Sequence, residues 1–194
     1  MSTQTVLGED GRRRCAWAAS DPEYRRYHDE EWGTPLHGDR PLFEKLSLEA
    51  FQSGLSWITI LRKRPAFRAA FAGFDIPAVA AFGDAEVARL LADTAIVRNR
   101  AKIEATIQNA LVALELTRDA PGALDALLWS FAPSPRIAPP ASSAEVPAAS
   151  PESAAASREL KRLGFRFVGP TTVYALMQSA GMVDDHVAGC WRAA

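Results

Sequence analysis

The chain has 194 residues, 48% of them hydrophobic and 23% charged, with a formal net charge of −1. That is the make-up of a soluble globular protein with a full core, and no apolar run approaches the ~20 residues needed to cross a bilayer. A net charge this close to zero gives no global pull on nucleic acid, so any such binding must come from local basic patches and backbone amides.

Residues 1–13, closing on "GEDGRR", lack the apolar stretch of a secretory signal and read as a disordered leader before a single domain over 14–194. Without a signal peptide, Cys15 and Cys190 belong to the reducing cytoplasm, where a structural disulfide is rare. Beyond the leader the pattern is helical, and the fold class is all-α. "SDPEYRRYHDEEWG" has Ser20 as N-cap, Pro22 in the first turn and Glu23 as capping-box partner. "DRPLFEKLSLEAFQSG" follows and stops near Gly54, "LSWITILRKR" is a further short helix, and Pro65 starts a fresh one. Asp75 and Asp84 stand where N-caps belong. In "IVRNRAKIEATIQNALVALELTR", Ile96, Ile103, Ile107, Ala110, Leu111 and Leu114 recur at helical spacing, which gives the longest helix one core face. Residues 132–150 are rich in Pro, Ala and Ser and read as a surface loop or linker, ending where Ser150 and Pro151 start another helix.

Next comes "LKRLGFRFVGPTTVYALMQSAGM", a helix with a basic end, a turn bracketed by Gly164 and Gly169, and a new helix. Val168 and Phe167 are expected to tuck into the core, and the free amides opening the new helix can hold a phosphate without a positive side chain. Taken alone, the turn is also what a plain αα-hairpin looks like. Cys15, His28, His186 and Cys190 form a set at the two chain ends, with His186 and Cys190 spaced to share a helix face. Two Cys and two His complete a closed tetrahedral zinc shell, the structural kind. Taken singly, each of the four also fits a buried thiol or a surface histidine.

These stretches carry a resemblance. "RCAW", "DPEYRRYHDEEWGTP", "LFEKLSLEAFQSGLSWITILRKR", "IVRNRAKIEATIQNA", "LWSF", "LKRLGFRFVGPTT" and "DDHVAGC" together resemble the 3-methyladenine DNA glycosylase I family of helix-hairpin-helix DNA glycosylases, from Arg14 almost to the end. The resemblance implies an all-α helix-hairpin-helix fold with a base pocket between two lobes. It also implies one structural zinc on Cys15, His28, His186 and Cys190, clipping the termini together.

For function, it implies a monofunctional N-glycosylase that removes 3-methyladenine from alkylated double-stranded DNA by base flipping. Such an enzyme would be a cytoplasmic monomer with no organic cofactor and no membrane association. Glu49 would be the base-recognising and catalytic carboxylate, and Trp57, Tyr27, Trp17 and Tyr24 the pocket aromatics. By composition alone, these residues equally fit a solvated helix face with core aromatics behind it.

DNA contacts would come from Gly164, Phe165, Arg166, Phe167, Val168, Gly169 and Thr171. Leu55 is a candidate wedge for the vacated stack, with core packing as its alternative. Arg62, Lys63, Arg64, Arg98, Arg100, Lys161, Arg162 and Arg166 form the basic pool. Asp184 departs from the family, whose well-known members carry Asn there. It is either a helix cap or an electrostatic aid to the reaction. Two other readings are a broader-range alkylpurine glycosylase using Asp184 and a non-catalytic zinc-stapled DNA-binding module.

Overall fold

The computed structural model describes residues 4–135 and 138–193. Helices dominate: α1 (Pro22–Glu30), α2 (Asp39–Gln52), α3 (Trp57–Ala70), α4 (Ile76–Ala80), α5 (Asp84–Ala92), α6 (Arg100–Thr117), α7 (Ala123–Trp129), α8 (Pro151–Leu163) and α9 (Pro170–Ser179). Short 3-10 turns cover Ala16–Ser20, Ala72–Phe74 and Ser143–Glu145. Among the described residues, no helix is long and apolar enough to cross a membrane.

The ends of these helices are set by polar caps. Asp21, not Ser20, caps α1 by accepting from the Glu23 amide at 2.8 Å. Asp75 caps α4 and Ser150 caps α8, as expected, while Gly83 takes the cap position of α5. α6 begins at Arg100 rather than Ile96, because the Asn99 side chain accepts from the Lys102 amide and fixes the first turn. Pro65 does not open a new helix, since α3 runs through it. Burial of Phe67 and Phe71 and the Arg64–Glu31 pair hold both sides of the proline, so packing outweighs its missing hydrogen bond.

Beside the helices the fold carries one short β pair, which falls largely within residues 1–13. Thr5–Leu7 (β1) pairs antiparallel with Arg13–Cys15 (β2). The turn between them is closed by Asp10, which accepts from Arg14 at 2.8 Å, and Arg14 also forks onto Asp29. Residues 1–3 lie outside the described residues. The Pro/Ala/Ser-rich segment is also tied in. Ser143 donates through its amide to Gln4 Oε1 at 2.9 Å, and the Ala188 amide donates to Pro140 at 2.8 Å.

One large core runs through the helices, with Leu42, Phe43, Leu46, Phe51, Phe67, Phe71, Phe74 and Leu90 buried together. α4 packs on α6, α8 on α9, and α2 against α9, α3, α6 and α7. A second, small cluster of Cys15, Val187 and Cys190 joins the two chain ends. α2 is thus the central helix, and its C-terminal half meets α1, α3 and α9 at the site.

Candidate active site: an aromatic pocket around a buried carboxylate

A cavity of about 360 Å³ is lined by Glu49 of α2, Tyr24 and Tyr27 of α1, Trp17 and Trp32 beside α1, and Trp57 at the start of α3. Gln178 and Ser179 of α9, Asp185 of the C-terminal segment, and Ser143 and Val146 of the Pro/Ala/Ser-rich loop complete it. All five residues expected in the pocket therefore come together. The rings interlock. Trp17 meets Tyr24 edge-on at 5.5 Å and Trp32 edge-on at 5.2 Å, and Tyr27 lies 5.5 Å from Trp57. Tyr24 is fixed further by accepting from the Ile58 amide at 2.9 Å. Trp57 Nε1 is buried in the cavity wall with no hydrogen-bond partner among the described residues.

Glu49 is 5% exposed. Burial pushes its carboxyl up to about 7, against the pull of Lys45 and a hydrogen bond from Ser179. Burial also raises the Tyr27 hydroxyl well above its ordinary range, so that ring stays neutral. Asp185, which sequence reasoning passed over in favour of Asp184, is buried, accepting from Tyr174 Oη at 2.7 Å and Gln178 Nε2 at 2.9 Å. Trp32, Gln178, Ser179 and Lys45 were missed as well. Only Trp32 had a signal, within the distinctive "YHDEEWG".

Asp184 faces elsewhere. Its Oδ1 accepts from the His186 amide at 3.0 Å and lies 2.7 Å from His186 Nδ1, and the residue does not line the aromatic cavity. The contact leaves His186 Nε2 buried with no partner among the described residues. Asp29 treats His28 the same way, at 2.8 Å from Nδ1, and His28 Nε2 stands 3.4 Å from Cys190 Sγ. The ligand atoms of Cys15, His28 and Cys190 lie within 4.8 Å of one another and can hold a metal ion. The His186 ring is adjacent, 4.9 Å from the His28 ring. A Cβ on Gly33 would come within 2.7 Å of the His186 ring, so glycine there makes its room. Hydrogen bonding between the two thiols holds Cys190 down at about 4, with His28 assisting, and pushes Cys15 up. His186 and Cys190 do not share a helix as expected. They sit on an irregular segment turned by the Cys190 amide bonding to Val187.

A neighbouring cavity of about 310 Å³ shares Glu49, Gln52 and Ala175 with the first and adds Leu55, Thr171 and Thr172. It joins the aromatic pocket to the first turn of α9. Leu55 is 43% exposed, on a turn made possible by Gly54 at φ 82°, so it does not pack in the core. In the α8–α9 turn, Phe165 and Val168 are buried but Phe167 is 40% exposed, contrary to expectation. The reason is local, since Phe167 takes φ 56° and turns outward. Asn109 braces the turn by accepting from the Arg166 amide at 2.7 Å and donating to its carbonyl at 3.0 Å. Gly169 caps α9, and a Cβ there would meet no protein atom, which leaves the α9 amides open to an outside group.

Most of the basic pool is engaged. Arg64 forks onto Glu31, Arg62 pairs with Asp21, Arg100 with Glu104 and Arg162 with Glu159, and Lys63 donates to the carbonyls of Thr94 and Ala95. Lys161, Arg166 and Arg98 are exposed.

A methyladenine glycosylase family model matches residues 17–193, nearly the whole chain. The chain belongs to the methyladenine glycosylase family. It is 44% identical over 178 residues to DNA-3-methyladenine glycosylase 1 of Escherichia coli, covering 91% of this chain and 95% of that one. With the DNA-3-methyladenine glycosylase of Haemophilus influenzae it shares 40% identity over 91% and 96%. Its fold matches a crystal structure of 3-methyladenine DNA glycosylase I with a TM-score of 0.88 at 44% identity, covering 92% and 98%. The Staphylococcus aureus enzyme, solved to explain its recognition of 3-methyladenine, matches with a TM-score of 0.85 at 34% identity, covering 92% and 95%. As a methyladenine glycosylase, the chain places its buried carboxylate and its aromatic rings in one cavity.

Proposed function

We propose that this chain is a monofunctional DNA N-glycosylase that flips 3-methyladenine out of alkylated duplex DNA and hydrolyses its glycosidic bond, opening base-excision repair. The observation that carries the reading is Glu49, a buried carboxylate among Trp17, Tyr24, Tyr27 and Trp57 in a chain of the methyladenine glycosylase family. An adenine methylated at N3 is cationic, so ring faces attract it more than a normal base. Glu49 accepts from its exocyclic amine, and the dry surroundings strengthen that contact. Because the methylated base leaves as a neutral molecule, the reaction needs little acid catalysis. Holding the flipped cation, excluding bulk water and stabilising charge that develops on the sugar supply the rest. Water is the co-reactant, and no organic cofactor is called for.

The α8–α9 turn serves as the helix-hairpin-helix grip. Amides at the start of α9 take a phosphate over the open face of Gly169, with Thr171, Arg166 and Lys161 at hand. Leu55 fills the gap left by the flipped base. The pocket draws its walls from α1, α2 and α3 and from α9 and the C-terminal segment.

Cys15, His28, His186 and Cys190 hold one structural zinc. The unpartnered His186 Nε2, the converging thiols and the two carboxylates orienting the histidines fit that ion. A bound zinc would supply cross-linking of the chain ends rather than chemistry. Asp184 is assigned to orienting His186, which disfavours a glycosylase that works through Asp184. The enzyme acts as a cytoplasmic monomer on one lesion at a time.

Chromatography of bases released from methylated duplex DNA tests the reading. Release of 3-methyladenine without 7-methylguanine is the expected result. Broad release would favour a wider-range glycosylase, and no release a binding module.

A further inference from the structure

Lys45 is a buried lysine that neither the metal cluster nor the α8–α9 turn uses. It stands one helical turn before Glu49 on α2 and is 7% exposed. Its ammonium lies 5.2 Å from the centre of the Tyr27 ring and 5.9 Å from that of Trp57, two walls of the base pocket. It also lines a separate cavity of about 200 Å³ behind that pocket, with Glu31, Glu44, Arg64 and Arg68. Those four charges pair among themselves, Arg64 with Glu31 and Arg68 with Glu44, each through a 2.8 Å hydrogen bond. Lys45 and Glu49, four residues apart on one face of α2, lie outside these two pairs.

We propose that Lys45 is a positioning residue for base excision: it is the internal counter-ion that keeps Glu49 anionic, and it backs the Tyr27 and Trp57 rings from behind the pocket. The inference rests on the reading of Glu49 as the base-recognising carboxylate. A buried carboxylate without a compensating charge takes up a proton instead of remaining ionised. Protonated, Glu49 loses its attraction for a cationic base and half of its capacity to accept from an amine.

The surrounding charges single out this pair. Among the described residues, Lys45 is the only cation that pulls the Glu49 carboxyl down, against a burial effect that alone would carry it higher. Of the carboxylates acting on Lys45, Glu49 acts most strongly, ahead of Glu31 and Glu44, while burial and Arg64 push its ammonium toward neutrality. From α1, Tyr27 faces the pair as a neutral phenol. From α9 comes the Ser179 hydroxyl, and from the C-terminal segment Asp185, held by Tyr174 and Gln178. The charged groups that α6 and α7 bring to α2 act at its ends. Lys102 caps the carbonyls of Phe51 and Ser53, and Asp125 accepts from the Gly38 amide.

The test compares the full chain with Lys45→Met and Lys45→Arg by two readouts. One is carbon NMR titration of the Glu49 carboxyl in the protein alone. The other is the pH profile of single-turnover 3-methyladenine release from duplex DNA. With enzyme below saturation, so that the free chain is read, the acid limb of the original chain should fall with a midpoint near 7. Lys45→Met should move both midpoints up by about one pH unit or more and slow release at pH 7 by about fivefold or more, with rates converging at alkaline pH. Lys45→Arg should restore both. An unmoved Glu49 titration and a superimposable pH profile in Lys45→Met would overturn the inference. Should the methionine variant fail to fold, Lys45→Gln carries the same expectation and the same refutation. If the original chain itself releases no base, the reading of Glu49 falls, while the NMR titration still decides the role of Lys45.

Discussion

Glu49 costs the fold stability in return for a charge in a dry pocket. Its carboxyl is raised to about 7 in the native state, so between the ordinary carboxyl range and pH 7 the native chain holds a proton that the unfolded chain has released. Stability therefore falls as pH rises through that window and stays lower above it. Glu49→Gln should then be more stable than the original chain at pH 8 by about 1–3 kcal/mol, the difference vanishing by about pH 4, as read by urea unfolding. A destabilised glutamine variant at pH 8 would contradict this account of the pocket. Asp184 makes a different prediction. Asp184→Asn keeps an acceptor for His186 and should leave excision within about threefold, whereas Asp184→Ala should weaken metal affinity by about 10–100-fold. A large loss of excision in a stable Asp184→Asn protein would instead place that carboxylate in the chemistry. At this scale the sequence was only partly legible. Glu49 was found through motif resemblance, because composition around it suits a solvated face equally well. Asp184 and Asp185 are adjacent and identical in type, and only the backbone turn into His186 decides which one lines the pocket. Lys45 gave no signal, since a lysine in an amphipathic helix is ordinarily exposed.

The α8–α9 turn shows how an element is tuned for contact rather than for stability. Phe167 holds a left-handed backbone conformation and is exposed, which costs about 1–2 kcal/mol for a residue with a side chain. Phe167→Gly should raise stability by up to about 1 kcal/mol in thermal unfolding while weakening binding to duplex DNA in a salt titration. Asn109→Ala should cost about 1–3 kcal/mol by leaving the Arg166 backbone groups without their partner, and should weaken DNA binding too. Helix existence and several caps were readable, as Asp75 and Ser150 illustrate, because cap chemistry is local. The errors at Pro65 and Ile96 arose where tertiary burial or a side-chain cap overruled the local pattern. The short β pair was hidden because three-residue strands carry no periodicity, and it is held by Arg14 forking between Asp10 and Asp29.

Across the whole molecule, the chain ends build the pocket. Cys15 precedes Trp17 by two residues, Tyr27 precedes His28, and His186 precedes Val187, so each of these cavity walls hangs beside a ligand of the proposed zinc. Their scarcity made the four ligand candidates legible in sequence. The irregular backbone carrying His186 and Cys190, and the docking of the Pro/Ala/Ser-rich loop onto Gln4 and Ala188, were not. Metal analysis should find about one zinc per chain. Chelation or Cys190→Ser should lower stability by more than about 2 kcal/mol and disturb the pocket tryptophan fluorescence together with it. Zinc-free protein of unchanged stability would refute the clip. The central claim is that Glu49 within its aromatic walls reads the flipped methylated base. It is tested most directly by single-turnover release of 3-methyladenine from alkylated duplex DNA at pH 7.5, comparing the original chain with a folded Glu49→Gln variant. The account predicts rapid release by the former and a loss of at least about 100-fold in the latter, and near-equal rates would contradict it.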